Sequence, residues 1–496
     1  MSENNISRRT YLKIAGLLSA GFIIPGCKNP STPTPVIDTP VDPSPPIETI
    51  EQAIDLLNSN EVIVLQQSDA DYESKRQGFN LRVPKKPKYI AVCKSTKGVA
   101  EAIKFARQEQ LAVAVKSGGH SFEGFSSNNG GLVVDLSLFK KVTWLDNDQV
   151  SIQPGVTLSE VYDNILPRKR IIPMGSCGGV GVGGLTLGGG YGLFSRKYGL
   201  TCDHLKAFTM VDGQGNIIQS SEDAELAWAC KGGGNGSFGV VTEMTFRTHE
   251  APDWFIRHRF KAYNLTTERA KQLLETWFTY AGQLPGSCFA AFVLNHKTLT
   301  LLITDFEEQG PALTTMIDTF KVICDKYLPD TKKELAPSLK KYYGIQQSIY
   351  FKNACAGLYS GFSDISTAID QVISVVASTK GLIYQVNTLG GAINTESFKS
   401  DSCFPHRALP FMGELQAYYD KPAQEALLVS RFRQIQGLLK TGGVRAHYRN
   451  YPDLDFTDWE SAYFADNYKR LQAVKQKYDP DNVIRHEQSV KVVVSG

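Results

Sequence analysis

Three glycine-rich segments carry side chains that can do chemistry. Residues 117–121 read Ser-Gly-Gly-His-Ser, residues 175–192 hold ten glycines together with Cys177, and residues 232–239 hold five glycines. Closely spaced glycines let backbone amides approach an anionic group, as phosphate cradles require. An imidazole such as His120 and a thiol such as Cys177 are potential nucleophiles. The three segments together predict loops that wrap one bulky nucleotide ligand.

A dinucleotide-binding Rossmann unit is the alternative interpretation of the second segment. Gly179, Gly181 and Gly184 satisfy the GxGxxG spacing. The preceding stretch at 170–174 contains Pro173, which disfavours a central strand, and glycines continue where the crossover helix should begin. We therefore expect a long wrapping loop at 175–192.

Strands and helices must position these loops. A strand, a helix and a second strand lead into the first loop, which indicates an α/β unit, and the third loop precedes another strand. After about residue 248, antiparallel strands alternate with helices. The predicted strands are 89–93, 111–115, 131–136, 150–153, 208–211, 217–218, 240–247, 254–260, 289–294, 299–304 and 409–419. The predicted helices are 97–110, 268–281, 313–327, 422–439 and 468–478.

The N-terminus has the features of an export signal. Arg8 and Arg9 precede an uncharged apolar run at 14–24 that is too short to span a bilayer, which is typical of the twin-arginine pathway. Cys27 follows Pro25 and Gly26, so acylation at Cys27 is one expectation and plain signal-peptide cleavage is the alternative. Seven prolines in residues 28–47 predict an extended spacer.

Composition narrows the class of protein. The 496 residues have a net charge of +3, and 42% hydrophobic with 21% charged residues is ordinary globular composition. A disordered chain and a nucleic-acid binder are therefore disfavoured. Nine cysteines without a CxxC pair argue against zinc or iron–sulfur ligation, and no metal is expected.

Several motifs together resemble one known family. They are the loops at 117–121 and 175–192, Phe-Pro-His-Arg at 404–407, Tyr-Arg-Asn-Tyr-Pro-Asp at 448–453, and Tyr-Asp-Pro at 478–480. From about residue 80 to about residue 493 the chain resembles the FAD-linked oxidases with a vanillyl-alcohol-oxidase (PCMH) type of FAD domain, specifically the berberine-bridge-enzyme-like branch.

The resemblance implies an α+β fold. A PCMH-type FAD-binding domain of two α/β subdomains is expected beside a substrate domain whose antiparallel sheet is flanked by helices. The expected division is a signal peptide at 1–26, a linker at 27–48, the FAD-binding domain at 49–250, the substrate-binding domain at 251–440, and a C-terminal segment at 441–496 that packs back on the FAD domain.

The resemblance also implies bicovalent FAD. His120 matches the histidine bonded to the flavin 8α-methyl group, and Cys177 matches the cysteine bonded to flavin C6. Lys116 replaces an arginine that is common in the family, so phosphate contacts are expected to rely more on backbone amides. Val180 matches a position near flavin C4a where a small residue resembles the oxygen-reactive members. The other expected FAD-binding residues are Ser117, Gly118, Gly119, Ser121, Gly175, Ser176, Gly181, Gly184, Gly189, Gly192, Gly239, Val241 and Asn450.

Tyr448, Tyr191 and Gln416 match active-site positions of the branch. A tyrosine with a pKa of about 10 needs nearby positive charge to act as a base at neutral pH. Arg445, His447 and Arg449 are the candidate cations. We expect Tyr448 to be the base, on one face of a strand with Asn450, with Tyr191 as its alternative or partner and Gln416 as an orienting residue.

The implied activity is that of an exported oxidase. Hydride would pass from an alcohol or sugar hydroxyl carbon to flavin N5, and O2 would reoxidise the flavin to give H2O2. Oligosaccharide oxidation in the periplasm or cell envelope is one expectation, with membrane contact only through a lipid on Cys27. The alternatives are a flavin dehydrogenase, a tailoring enzyme for secondary metabolites, and a non-catalytic surface-binding lipoprotein.

Overall fold

The computed structural model describes residue 54 and residues 57–307 and 310–493. The predicted signal at 1–26, the linker at 28–47 and Cys27 lie outside the described residues. Within the described part, no helix is long and apolar enough to cross a bilayer.

A small α/β layer begins the folded chain. Its strands are β1 (Val62–Leu65), β2 (Tyr89–Cys93), β3 (Val113–Lys116) and β4 (Leu132–Asp135), and its helices are α1 (Tyr72–Arg76) and α2 (Thr96–Gln108). The sheet order is β1-β2-β4-β3, with β2, β4 and β3 parallel. Helix α2 connects β2 to β3 and buries Val99, Ile103 and Ala106, because these apolar residues recur at helical spacing. Strand β3 runs directly into the first glycine loop.

A second layer holds the other two glycine loops. Its strands are β5 (Val142–Trp144), β6 (Gln149–Ile152), β7 (Arg170–Ile171), β8 (Leu205–Asp212), β9 (Ile217–Gln219), β10 (Gly239–Arg247) and β11 (His249–Glu250). Its helices are α3 (Leu158–Ile165), α4 (Val182–Leu187), α5 (Ser195–Tyr198) and α6 (Ala224–Cys230). The main sheet is antiparallel, in the order β5-β6-β10-β8-β9. The expectation of a loop throughout 175–192 was incomplete, because α4 forms inside it and places its N-terminus beside the first loop.

A large antiparallel sheet forms the rest of the fold. Its strands are β12 (Trp254–Ala262), β13 (Cys288–Asn295), β14 (Thr298–Asp305), β15 (Lys326–Pro329), β16 (Lys333–Glu334), β17 (Tyr350–Tyr359), β18 (Leu382–Thr388) and β19 (Phe411–Tyr419). Its helices are α7 (Thr267–Ala281), α8 (Pro311–Ile323), α9 (Leu335–Lys340), α10 (Ile369–Ser378), α11 (Glu396–Ser400) and α12 (Glu425–Thr441). The order is β15-β12-β14-β13-β18-β19-β17, with β16 paired to β12.

Helices cover one face of this sheet and leave the other face for the site. Trp277 of α7, Val372 of α10 and Phe432 of α12 pack with inward-facing strand residues in one apolar core. The predicted helix at 313–327 was too long, since α8 ends at Ile323. Tyr327 lies in β15 instead, where its ring stacks on Phe260 at 4.7 Å.

The C-terminal segment returns to the two layers that carry the glycine loops. It contains α13 (Trp459–Phe464) and α14 (Tyr468–Tyr478). Lys475 of α14 is fully buried and donates hydrogen bonds of 2.7 Å to the Ser237 and Ile484 carbonyls, so it fixes the third glycine loop. The Val113 N–H also donates to the Val483 carbonyl at 2.8 Å. The domain boundaries at 250 and 440 stay predictions.

Candidate active site

A cavity of about 570 Å³ lies between the glycine loops and the uncovered face of the large sheet. Its walls include most of the residues that the sequence singled out. They are His120, Cys177, Tyr191, Gln416, Ser117, Gly118, Gly119, Ser121, Gly175, Ser176, Val180, Gly181, Gly184, Gly192, Gly239, Val241 and Asn450.

The first two glycine loops touch each other at the cavity wall. A Cβ on Gly118 would overlap the Gly181 nitrogen, and a Cβ on Gly181 would overlap the Ser117 hydroxyl. Both positions therefore require glycine for close approach of the two backbones. The Cβ position of Gly184 has no atom within 4 Å, so backbone is exposed there to an incoming ligand.

His120 presents a neutral imidazole to the cavity. Its ring stacks on Phe79 with centroids 4.1 Å apart. Burial lowers the pKa of His120 to about 4. A neutral imidazole nitrogen is the form that can attack an electrophilic carbon.

Cys177 faces the same cavity from the second loop. The next residue, Gly178, donates its N–H to the Tyr343 carbonyl at 3.0 Å, which anchors this loop to the residues after α9. Burial raises the pKa of the Cys177 thiol, and a hydrogen bond from the Gly179 backbone lowers it in part. A Cβ on Gly179 would lie 2.9 Å from His120 Nε2, so the two nucleophiles occupy neighbouring parts of one wall.

Arg449, which the sequence offered as a candidate cation for a tyrosinate, is a buried cation on the cavity wall. Its Nη2 lies 3.0 Å from His486 Nε2, and its Nε has no hydrogen-bond partner among the described residues. Burial lowers the pKa of Arg449 to about 10, and burial together with the charge of Arg449 lowers that of His486 well below its usual value, so His486 stays neutral. A buried guanidinium is costly unless an anion pairs with it, and the cavity is the space from which an anion can approach.

Two expected FAD-binding residues lie outside the cavity wall. Lys116 points away from it, donating to the Lys75 carbonyl and lying 3.6 Å from Asp135. Lys116 is therefore not placed to contact a phosphate in the cavity. Gly189 lies behind the wall, where its Cβ position is 3.4 Å from the Tyr448 ring.

Tyr448 is not on the cavity wall either. Residues 448–451 form a turn rather than a strand, closed by a 3.0 Å hydrogen bond from the Tyr451 N–H to the Tyr448 carbonyl. The Tyr448 hydroxyl accepts hydrogen bonds from the Gly190 N–H at 2.9 Å and from Asn450 Nδ2 at 3.0 Å. This turn places Tyr451 at the cavity and uses Tyr448 to support the Gly190 backbone.

The expected cations do not stabilise a tyrosinate. Arg445 is exposed and donates to the Lys440 and Val444 carbonyls, while His447 Nδ1 lies 3.1 Å from the Cys355 carbonyl. Burial raises the pKa of Tyr448, and it raises the pKa of Tyr191 and Tyr451 well above the usual value. All three are neutral hydroxyls at physiological pH.

The large sheet contributes a polar surface that sequence reasoning largely missed. Three neighbouring strands place Asn353 opposite Gln416 and Gln385 opposite Glu414, and directly opposed residues share a face. Asn387 joins them through a 2.7 Å hydrogen bond from Gln385 Nε2. The available signal was the period of two in β19, where residues 414, 416 and 418 alternate with Leu415 and Ala417 of the helix-covered core.

These features fit FAD. The paired glycine loops expose backbone at the cavity, Arg449 offers an unpaired cation for a diphosphate, and His120 and Cys177 offer nucleophiles for a flavin ring. The Tyr191 hydroxyl and Asn235 Oδ1 also line the cavity, have no hydrogen-bond partner among the described residues, and are free to hydrogen-bond a ligand.

Two domain families match the chain. Residues 87–221 match the FAD binding domain, and residues 447–491 match the berberine and berberine-like domain. The chain is an FAD-linked oxidoreductase of the berberine-bridge-enzyme-like family.

Known proteins resemble this oxidoreductase over most of its length. It is 29% identical to YgaK, an uncharacterized FAD-linked oxidoreductase of Bacillus subtilis, covering 86% of this chain and 96% of the relative. It is 26% identical to the chitooligosaccharide oxidase of Gibberella zeae, covering 86% of this chain and 91% of that one. The solved Acremonium strictum glucooligosaccharide oxidase superposes with a TM-score of 0.79 at 24% identity, over 90% and 99% of the two chains. The α+β PCMH-type fold is thereby confirmed.

Proposed function

We propose that this oxidoreductase oxidises an oligosaccharide at a hydroxyl-bearing carbon and reduces O2 to H2O2. The observation that carries the proposal is the surface of amide side chains on the cavity wall. Asn353, Gln385, Asn387 and Gln416 span three adjacent strands and supply both donors and acceptors. A substrate rich in hydroxyl groups matches such a surface. The chitooligosaccharide and glucooligosaccharide oxidases named among its relatives support the same substrate class.

Each part of the chain has a role in this reaction. The bound FAD supplies a two-electron acceptor for the hydride that leaves the hydroxyl-bearing carbon. The amide surface, which includes Gln416, orients the sugar. Tyr191 and Tyr451 present neutral hydroxyls that donate hydrogen bonds to a substrate oxygen. Phe289 and Phe351 give the cavity apolar walls that limit water.

A substrate panel tests the proposed activity. With chito-, gluco- and xylo-oligosaccharides under air, we expect flavin bleaching followed by equimolar H2O2 and a carbonyl or lactone product. Simple phenolic alcohols serve as the comparison set. Reduction only by phenolic substrates, or turnover with dyes but not with O2, would contradict the sugar-oxidase assignment.

We further propose that FAD is attached to both His120 and Cys177. The support is their common cavity, the neutral imidazole of His120, and the flavinylation revealed by the Acremonium strictum structure for that enzyme. Acid precipitation of the wild type should leave the yellow colour with the protein. Replacing either residue with Ala should leave a single attachment, and H120A/C177A should release all FAD. Colour that leaves the wild-type protein on precipitation would refute covalent attachment.

The proposed cellular location is the periplasm or cell envelope. The support is the Arg8-Arg9 motif with its short apolar run, and Cys27 as an acylation site. The intact mass of the mature protein tests this. A chain that begins at Cys27 with an added lipid supports anchoring, and a chain that retains Met1 argues against export.

A further inference from the structure

The uncovered face of the large sheet extends beyond the cavity to the far edge of the sheet. Residues that oppose one another in a sheet share a face, so Lys261 and Lys326 lie on the face that carries the amide surface. Their neighbours Phe260 and Tyr327 point the other way, into the helix-covered core. One row of directly opposed residues crosses six strands, in the order Glu414, Gln385, Val293, Thr300, Lys261 and Lys326.

Three cations lie together at this far edge, and we call Arg259, Lys261 and Lys326 the cationic strip. Arg259 and Lys261 of β12 are half-buried, and Lys326 of β15 is exposed. Arg259 is two residues from Lys261 along β12, so both side chains leave the same face. Burial, and then the charges of Arg259 and Lys326, lower the pKa of Lys261, as expected where like charges are close.

No carboxylate among the described residues forms an ion pair with the cationic strip. The acidic residues that flank it are paired with other cations. Asp330 pairs with Arg257 at 2.8 Å. Asp325 pairs with Arg269 at 2.7 Å. The Nε of Arg259 is buried and has no hydrogen-bond partner in the described part of the chain. Like charges held together in this way are stabilised when an anion binds between them.

Half-buried polar side chains connect the cavity with the cationic strip. Thr300 lies in the row itself, and Asn295 and Thr298 oppose each other next to it. From Gln385 to Lys261 is three strand spacings, or about 14 Å. That distance is too long for a single sugar unit in the cavity and is within reach of an oligosaccharide.

The two ends of the row differ in charge, and this difference defines the matching ligand. Glu414 places a carboxyl group at the cavity, and the cationic strip lies at the other end. We propose that the cationic strip binds the acidic units of an oligosaccharide whose uncharged end is oxidised in the cavity. This inference rests on the proposed oligosaccharide oxidation and names the substrate class as oligosaccharides that contain uronic acid. The planar guanidinium of Arg259 suits a carboxylate, and the two lysines add positive charge.

Binding to the FAD-loaded enzyme tests this inference with two matched ligands. One is a neutral xylo-oligosaccharide, and the other is an aldouronic acid, which is the same chain with a glucuronic acid unit at its non-reducing end. Titration calorimetry without O2, on enzyme whose flavin has been reduced beforehand, gives both dissociation constants without turnover. The wild type should bind the acidic ligand more tightly than the neutral one, and added salt should reduce this preference.

Two double variants separate the cationic strip from the overall charge of the protein. K261Q/K326Q should weaken binding of the acidic ligand by about 2- to 30-fold and so reduce the preference, because two ion pairs at a solvated surface are lost. K271Q/K321Q is the control, since it removes the same charge from α7 and α8 on the opposite side of the sheet. This control should keep the preference of the wild type.

The outcomes separate this inference from the proposed function. If no oligosaccharide, neutral or acidic, reduces the flavin of the wild type, both are wrong. If oligosaccharides reduce the flavin but the acidic ligand binds no more tightly than the neutral one, the inference alone is wrong. The same conclusion follows if K261Q/K326Q keeps the full preference. Binding to vesicles of anionic lipid that is lost in K261Q/K326Q, without any preference for the acidic ligand, would assign the cationic strip to a membrane surface instead.

Discussion

Replacing Arg449 with Met is expected to weaken FAD binding by about 30- to 5,000-fold in a variant without covalent attachment. The background is H120A/C177A, in which only non-covalent contacts hold FAD. The guanidinium is fully buried at the cavity wall, with an unpartnered Nε and a neutral His486 beside its Nη2. Removing one partner of a buried charge pair costs about 2–5 kcal/mol, which gives this range. Titration of the apo protein with FAD, followed by flavin fluorescence, measures the effect.

Two further variants distinguish a ligand contact from a structural role. Arg445→Met changes an exposed cation four residues away and should leave FAD affinity within about twofold. Arg449→Lys should give an intermediate affinity, because it keeps the charge and loses the planar fork. Without FAD, Arg449→Met should be at least as stable as its parent, since it removes an unpaired buried charge. A less stable apo protein with unchanged FAD affinity would show that Arg449 supports the fold and not the cofactor.

Local patterns predicted the parts of the site that lie close together in the chain. Composition was enough to find the glycine loops, which contain His120 and Cys177. The roles of these two residues as flavin attachment points came from the family resemblance. The strand that carries Gln416 was also predicted, and Gln416 itself was assigned from the family resemblance. Its neighbour Glu414 was overlooked because a carboxylate in a strand is usually solvent-exposed, and only the strand order β18-β19-β17 shows that this face meets the cavity.

Side-chain direction was the information that the sequence lacked. Lys116 ends a strand directly before the first loop, but it faces Asp135 and not the cavity. Residues 448–451 form a turn where the sequence predicted a strand. Because of this turn, Tyr451 faces the cavity and Tyr448 does not. Arg449 meets His486 from a segment 37 residues further along the chain. Such contacts between distant segments depend on tertiary packing, and no repeating pattern of residues in the sequence predicts them.

Replacing Lys352 with Met is expected to lower the free energy of unfolding by about 3–5 kcal/mol. Lys352 is 3% exposed and hydrogen-bonds Glu123 of the nucleotide-binding layer and, at 2.5 Å, Asp453 of the C-terminal segment. It therefore joins three parts of the fold beside the cavity wall formed by Phe351 and Asn353. Without it, two nearly fully buried carboxylates lose their shared cation, although Arg82 still pairs with Glu123 at 2.5 Å. Chemical denaturation at pH 7 measures the loss.

The pH dependence of stability and a control variant at an exposed ion pair identify why Lys352→Met lowers the free energy of unfolding. Burial lowers the pKa of Lys352, but the Asp453 and Glu123 carboxylates outweigh it and raise the pKa above 10.5. The stabilisation is then fully present below pH about 10.5 and is lost as pH rises through the raised folded-state value.

Lys271→Met, which breaks an exposed 2.9 Å pair with Asp370, should cost at most about 1 kcal/mol. If Lys352→Met costs no more than Lys271→Met, the buried ion network does not hold the three segments together. Neutralising Asp453 as well, in K352M/D453N, should restore part of the stability, because Glu123 keeps its pair with Arg82 and neither buried acid then lacks a partner as a charged group.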